Sequence, residues 1–414
     1  MIKNIKGMRD ILPPDSYLWD VVEDIAIKTF TGYGYLEIRT PVVEYLELFK
    51  RSIGEDTDIV NKEMYVFKDK KGRDLALRPE GTAPVARSYI STNLKEKPQP
   101  LRLFYMGQMF RYERPQKGRF RQFYQIGLEL LGLENPQADG EVLEVMISFL
   151  KNLMFSDLNV SINSVGCEKC RIEYIKELKK ALEGKKNDLC ENCRERIERN
   201  PLRVLDCKEE KCQSVIKKAP LLFNFLCKEC RDHFDNTLNI LKSLCIPFEI
   251  NHYLVRGLDY YTRTVFEVIS KDLGAQNAIC GGGRYNKLIS DLGGPVVPGV
   301  GFAIGEDRLI EILPQEFIQQ NSFKIDYYLI PVSLNETLFC FHIAQAIRKK
   351  GFKAVVFLED KGLKKGLKIA SEQNAKNAII IGENEIQSAL ITLKDLEKGE
   401  QRKVPIQEFL EEFK

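Results

Sequence analysis

Two stretches, FYMGQMFR (104–111) and FRQFYQIGLELL (120–131), alternate at strand period and flank one charged loop, YERPQKGR (112–119). Period two puts Arg121, Gln125, Gly127 and Glu129 on one face, and Tyr124, Ile126, Leu128 and Leu130 on the other. The pattern predicts an antiparallel hairpin with one apolar face against a core. On the opposite face Gln125 and Glu129 flank a glycine, which leaves room for a ligand against the backbone. Arg111 ends the first strand and can reach the same surface, where a guanidinium near a carboxylate and an amide suits an anionic, hydrogen-bonding substrate. A solvated sheet face fits the same pattern, and both readings stay open at this point.

The chain has 414 residues, which suggests two or three domains. Hydrophobic residues make up 44% and charged residues 29%, enough to build cores and unlike a disordered chain. Lys plus Arg minus Asp plus Glu is 62 − 59 = +3, which excludes a polybasic coat for nucleic acid but not a local basic patch. No apolar run approaches the roughly 18 residues of a transmembrane helix. MIKNIKGMRDILPP has no apolar leader core, so a cytoplasmic protein is expected.

Residues 15–31 read as an amphipathic helix with Leu18, Val21, Val22, Ile25 and Phe30 near one face. Asp15 or Ser16 is its expected cap, and Gly32 and Gly34 its stop. A short strand over 35–38 follows, and strand-like runs recur at 247–255 and 260–269 before a glycine-rich turn at Gly281–Gly283. Strands flanked by helices without βαβ alternation predict an α+β domain on an antiparallel sheet. From about residue 325, apolar strands at 327–332, 354–357 and 378–382 alternate with helices at 335–350 and 363–375, predicting a small α/β domain. The expected division is 1–324, interrupted by a Cys-rich helical insertion at 166–245, then 325–414, with the boundary in the polar segment 314–324.

Three further stretches carry candidate chemistry. LVRGLDYYTRTVFE (254–267) holds Arg256, Tyr260 and Tyr261, though a strand with aromatic core residues would look the same. ICGGGRYNKL (279–288) has bare glycines but neither GxGxxG nor Walker spacing. GVGFAIGEDRLIEIL (299–313) places Arg308 early in a helix after a glycine-rich strand, as an anion site would. Arg111, Arg121, Arg256 and Arg308 together suit a polyphosphate, each contributing roughly 4 kcal/mol at about 4 Å and an effective dielectric of about 20.

In their order and content these segments resemble the histidyl-tRNA synthetases, class II aminoacyl-tRNA synthetases, over essentially the whole chain. The helix and strand ending at Pro41, FRYERPQKGRFRQF and GFAIGEDRL resemble the three class motifs; RPEGT (78–82), LVRGLDYYTRTVFE and GGGRYNKL resemble signatures of the histidine enzyme. The resemblance implies a class II antiparallel-sheet catalytic domain, a C-terminal anticodon-binding-type domain, a homodimer, and ATP with Mg2+ as the energy source. It implies ligation of histidine to its tRNA through histidyl-adenylate. Arg256 and Arg111 would be catalytic. Glu80, Gly81, Thr82, Arg111, Gln125, Glu129, Arg256, Tyr260 and Tyr261 would bind histidine, with Glu80, Thr82 and Gln125 on the α-ammonium. Glu129 would accept from one imidazole nitrogen and Tyr261 donate to the other, while Tyr285 and Gly281–Gly283 close the pocket. Arg111, Arg119 and Arg308 would bind ATP, and Arg114, Gln116 and Lys117 the tRNA acceptor end. Lys349, Lys350, Lys364, Lys365 and Lys368 would suit phosphate contacts in the C-terminal domain, although such a face is also simply solvated. Two rivals share the resemblance: a histidine-binding regulatory subunit of ATP phosphoribosyltransferase, and a sensor of uncharged tRNA.

Eight of the eleven cysteines fall in four pairs: Cys167/Cys170, Cys190/Cys193, Cys207/Cys212 and Cys227/Cys230. Such spacing in a reducing compartment suits one or two four-cysteine zinc sites, or a set of reduced thiols; the sequence leaves the metal undecided.

Overall fold

The structure is a computed structural model that describes residues 2–54, 57–115, 118–270, 278–359 and 361–411. It divides into two compact units, Met1–Gln320 and Asn321–Lys414.

The first unit is built on a sheet of eight strands among the described residues. Their order is 36–37, 101–110, 122–131, 299–305, 278–284, 262–270, 158–164 and 248–250. The pairs at the two ends are parallel and every pair between them is antiparallel. Leu101–Phe110 and Gln122–Leu131 form the expected hairpin. One sheet face carries Phe104, Ile126, Leu128, Phe266, Val268, Phe302 and Ile304 into the main core. Helices Asp15–Gly32, Pro136–Asn152 and Lys228–Ser243 cover that face. The first buries Trp19, Val22, Ala26 and Phe30, while Leu18, Val21 and Ile25 are only partly covered. Neither Asp15 nor Ser16 caps it: Pro14 holds the N-cap position without a side-chain bond.

Three other expectations change. Gly281–Gly283 do not turn; they lie inside the Ala278–Arg284 strand, between two neighbours. Residues 251–261 carry no strand, so Arg256, Tyr260 and Tyr261 come from a loop laid over the sheet. The helix bearing Arg308, Glu306–Glu311, begins with two buried acids, Glu306 and Asp307, so its N-terminus is no anion site.

Residues 171–226 form a satellite core around Tyr174, Leu178, Ile197, Val204 and Ile216. The helix that follows, Lys228–Ser243, sends Phe234, Leu238 and Leu241 into the main core. In the second unit, parallel strands 325–331, 354–356 and 375–381 and helices Thr337–Lys349 and Gly362–Glu372 match the pattern of apolar runs. A hairpin of 390–395 and 401–405 extends that sheet beyond what the apolar runs indicated, because its strands are mostly polar on one side.

Arg284, in the GGGRYNKL stretch, is fully buried and donates to Asp139, Leu133 O and Asn135 O. His233 also contacts Asp139, at 3.2 Å. Burial disfavours the charged Asp139, but the Arg284 guanidinium and His233 outweigh it and hold the carboxyl well below its usual range. Arg284 therefore ties helix Pro136–Asn152 to the sheet. Asp139→Ala should lower stability by about 3–5 kcal/mol, because an uncompensated guanidinium remains; a thermal melt of the full chain within a degree or two of wild type would contradict this role.

Candidate functional site

The sheet face opposite the helices carries a cavity of about 300 Å³. Its floor follows from register. Tyr105, Gly127, Ala303, Gly281 and Glu267 form one row across the strands, and Glu129, Gly301 and Gly283 lie in the next. The glycines are required by what lies on them. A Cβ on Gly281 would stand 2.6 Å from the Arg256 guanidinium, one on Gly283 would stand 2.9 Å from the Tyr261 ring, and one on Gly301 would overlap the Glu129 carboxylate.

Glu80, Thr82, Gln125, Glu129, Tyr260, Tyr261 and Tyr285 line the cavity. Glu129 is 1% exposed. It accepts from Thr82 Oγ1 at 2.7 Å and from the Tyr285 hydroxyl. Burial lifts its pKa from the ordinary 4.5 to about 8; those two hydrogen bonds oppose the rise and nearby Glu80 adds to it. Glu80 spends one lone pair of each oxygen on the N–H groups of Thr82 (2.7 Å) and Ala83 (2.8 Å), at the start of helix Thr82–Ser91. Tyr105 reaches Gln125 Oε1 at 3.3 Å. Thr82, while donating to Glu129, keeps acceptor lone pairs, as do Glu80 and Gln125.

The same cavity is also cationic: Arg111, Arg119, Arg256 and Arg308 all line it, with Arg256 beside Tyr261. Arg111 is aimed by its Nε bond to Pro79 O (2.9 Å) and packs over Phe123. Arg256 pairs with Glu267. Burial and the charge of Arg119 both lower the Arg308 pKa, so two like charges face the same space. Glu113 lies between Arg111 and Arg119, 3.7 and 3.6 Å from them.

Arg121 does not belong to this group. Its guanidinium stacks on Tyr112 at 3.7 Å and bonds Glu113 O, because residue 121 precedes the strand whose period was used to place it. Gly81 contributes no wall atom; it makes room for the Tyr105 ring. Arg114 is exposed and outside the cavity, while Gln116 and Lys117 lie outside the described residues. Sequence reasoning missed Asp307, which lines the cavity and is held by Arg9 (2.9 Å) and Tyr124 N (2.7 Å). It also missed Phe120 and Phe123, whose only signal was a pair of aromatic residues just after a basic loop.

The profile of the histidyl-tRNA synthetase family matches residues 7–309. The chain belongs to that family. An anticodon binding domain profile matches residues 326–414. The chain is 44% identical to the histidine–tRNA ligase of Natranaerobius thermophilus, covering 100% of this chain and 99% of that one. It is 47% identical to that of Aquifex aeolicus, covering 98% and 99%. The apo histidyl-tRNA synthetase of S. aureus superposes with a TM-score of 0.82 at 35% identity, covering 100% of both chains. This family provides the frame in which the cavity is placed: a class II catalytic sheet followed by an anticodon-binding unit.

The raised Glu129 pKa has a measurable sign. A carboxyl that is more basic when folded contributes stability present below about pH 4.5 and lost as pH rises through about 8, at about 1.4 kcal/mol per pH unit. Glu129→Gln lacks this titration, so the variant should gain on wild type in thermal stability between pH 5.5 and 8. A constant difference across that range would mean that Glu129 does not carry the shifted proton.

Proposed function

We propose that the chain ligates histidine to its tRNA in two steps at the expense of ATP. The observation that carries this reading is one cavity lined both by four arginines, which suit a polyphosphate, and by Glu129 and Tyr261, which suit an imidazole. In the first step the histidine carboxylate attacks the α-phosphorus, forming the acyl-phosphate bond as the bond to pyrophosphate breaks. Arg111 and Arg256 flank the reacting oxygens and stabilise the charge that develops on them. Arg308 and Arg119 take the far end of the triphosphate, whose negative charge relieves their mutual repulsion. Phe120 and Phe123 offer flat apolar surface to the purine.

Histidine is selected by polar matching. Its α-ammonium donates to the lone pairs left on Glu80, Thr82 and Gln125. Its ring places one N–H on Glu129 and one bare nitrogen against the Tyr261 hydroxyl, and an analogue without those groups leaves buried partners unmatched. Binding favours the ionised form of Glu129, so histidine uptake is coupled to the proton this carboxyl holds. Mg2+ would be carried by the phosphates and water, with Glu113 as the nearby hard oxygen donor; it supplies charge neutralisation. In the second step the 3′-terminal ribose hydroxyl attacks the adenylate carbonyl and AMP leaves, with Arg114 and its loop facing the acceptor end. The exposed lysines 349, 350, 364, 365 and 368 suit phosphates of the tRNA.

The working form is a homodimer in the cytoplasm, where tRNA and ATP are found. Exposed apolar residues Leu36, Val43, Tyr45, Val66 and Phe67 support a partner surface on the catalytic unit. Among the described residues, no helix is long and apolar enough to cross a membrane.

Histidine-dependent ATP–pyrophosphate exchange followed by transfer to tRNA tests the reading; histidine binding with no exchange would point instead to a regulatory subunit. Arg256→Ala should lower exchange by about 10²–10³-fold while histidine affinity stays within a few-fold. Exchange at the wild-type rate would remove Arg256 from the chemistry. Glu129→Ala should weaken histidine in equilibrium titration and leave ATP binding intact, whereas an unchanged histidine titration would refute the imidazole assignment.

A further inference from the structure

The four cysteine pairs gather into two groups. Cys167 and Cys170 meet Cys227 and Cys230, and Cys190 and Cys193 meet Cys207 and Cys212; in each group all four Sγ atoms lie within 4.8 Å of one another. We propose that each group holds one Zn2+ as a tetrathiolate, giving this chain two structural zinc sites.

Spacing selects a single ion. Four sulfurs about 2.3 Å from a tetrahedral zinc stand about 3.8 Å apart. The sulfurs of Cys167 and Cys170 are 3.6 Å apart, those of Cys167 and Cys227 4.0 Å, and those of Cys190 and Cys207 3.8 Å. A disulfide needs about 2.05 Å, and all these cysteines are free. An iron–sulfur cluster, with several atoms between its ligands, would spread the sulfurs wider.

The backbone is arranged for thiolates as well. Cys167, Cys190 and Cys227 each occupy the N-cap of a helix, with the second cysteine of the pair in the first turn. Backbone N–H groups donate to sulfur: Cys227 N to Cys170 at 3.1 Å, Cys190 N to Cys212 at 3.2 Å and Cys193 N to Cys190 at 3.4 Å. Helix Glu191–Arg199 buries only Cys193 and Ile197, too little apolar surface to hold it in place. A metal supplies what its sequence, ENCRERIER, lacks. Each thiol releases its proton to solvent as the ion binds, so binding strengthens with pH.

The two sites have different duties. The 190/193/207/212 site closes the interior of the satellite core. The 167/170/227/230 site joins the points where the chain leaves the catalytic unit and returns to it. One residue beyond Cys170, Arg171 donates to Val165 O at 3.1 Å and to Tyr261 O. Metal there also anchors the loop that carries Tyr261.

Elemental analysis of the untagged full chain, purified under reducing conditions without chelator, should find two zinc ions per chain. Cys190→Ser with Cys193→Ser should retain one, as should Cys167→Ser with Cys170→Ser. Should a variant fail to fold, titrating wild type with an organomercurial and a zinc dye should release two zinc ions per chain. Folded, metal-free protein that takes up no added zinc would overturn the proposal, as would iron with visible absorption. The readout uses no histidine, ATP or tRNA, so its failure and that of the ligase reading are separable.

Discussion

Polar side chains can lie flat on the central strands because those strands are bare. Arg256 over Gly281, Tyr261 over Gly283 and Glu129 over Gly301 all occupy volume that a methyl group would take. Glycine inside a strand weakens it, and the opposite face compensates. There Phe104, Leu128, Phe266 and Phe302 pack under three helices, so the sheet is held from below while its upper surface stays open for a ligand.

The electrostatics follow from that geometry. Glu80 and Glu129 sit deep, where burial raises both pKa values and backbone or hydroxyl donors hold the rise in check. Arg111, Arg119 and Arg308 line the same cavity, where the charges of Arg119 and Arg308 crowd one another. Under the proposed reading, a small zwitterion held by the buried carboxylates and a polyanion held by the arginines would relieve both conditions together and bring a carboxylate next to an α-phosphate.

The satellite core shows how a short, charged segment can be kept folded. Its helix Glu191–Arg199 buries only Cys193 and Ile197, and buried thiols stand at the junctions between its helices. Arg171, which donates to Tyr261 O, fixes this unit to the loop that bears Tyr261.

Local pattern was enough to determine the hairpin of 101–131, its two chemically distinct faces, the helix of 15–32 and the alternating strands and helices of the second unit. These depend on neighbours within a few residues, and period two or 3.6 is written directly in the residue order. It raised Arg111, Gln125, Glu129, Arg256 and Arg308 as candidates only, and the resemblance of their segments to the family motifs singled them out. Tertiary structure alone decided that Gly281–Gly283 form strand and not turn, because three glycines in sequence do not reveal a side chain from a distant loop resting on them. It alone turned Arg121 onto Tyr112, buried Arg284 with Asp139, brought Arg9 to Asp307 and sorted eight cysteines into two groups. All but the Arg121–Tyr112 stack join segments far apart in the chain, and residue spacing carries no information about which distant segments will meet.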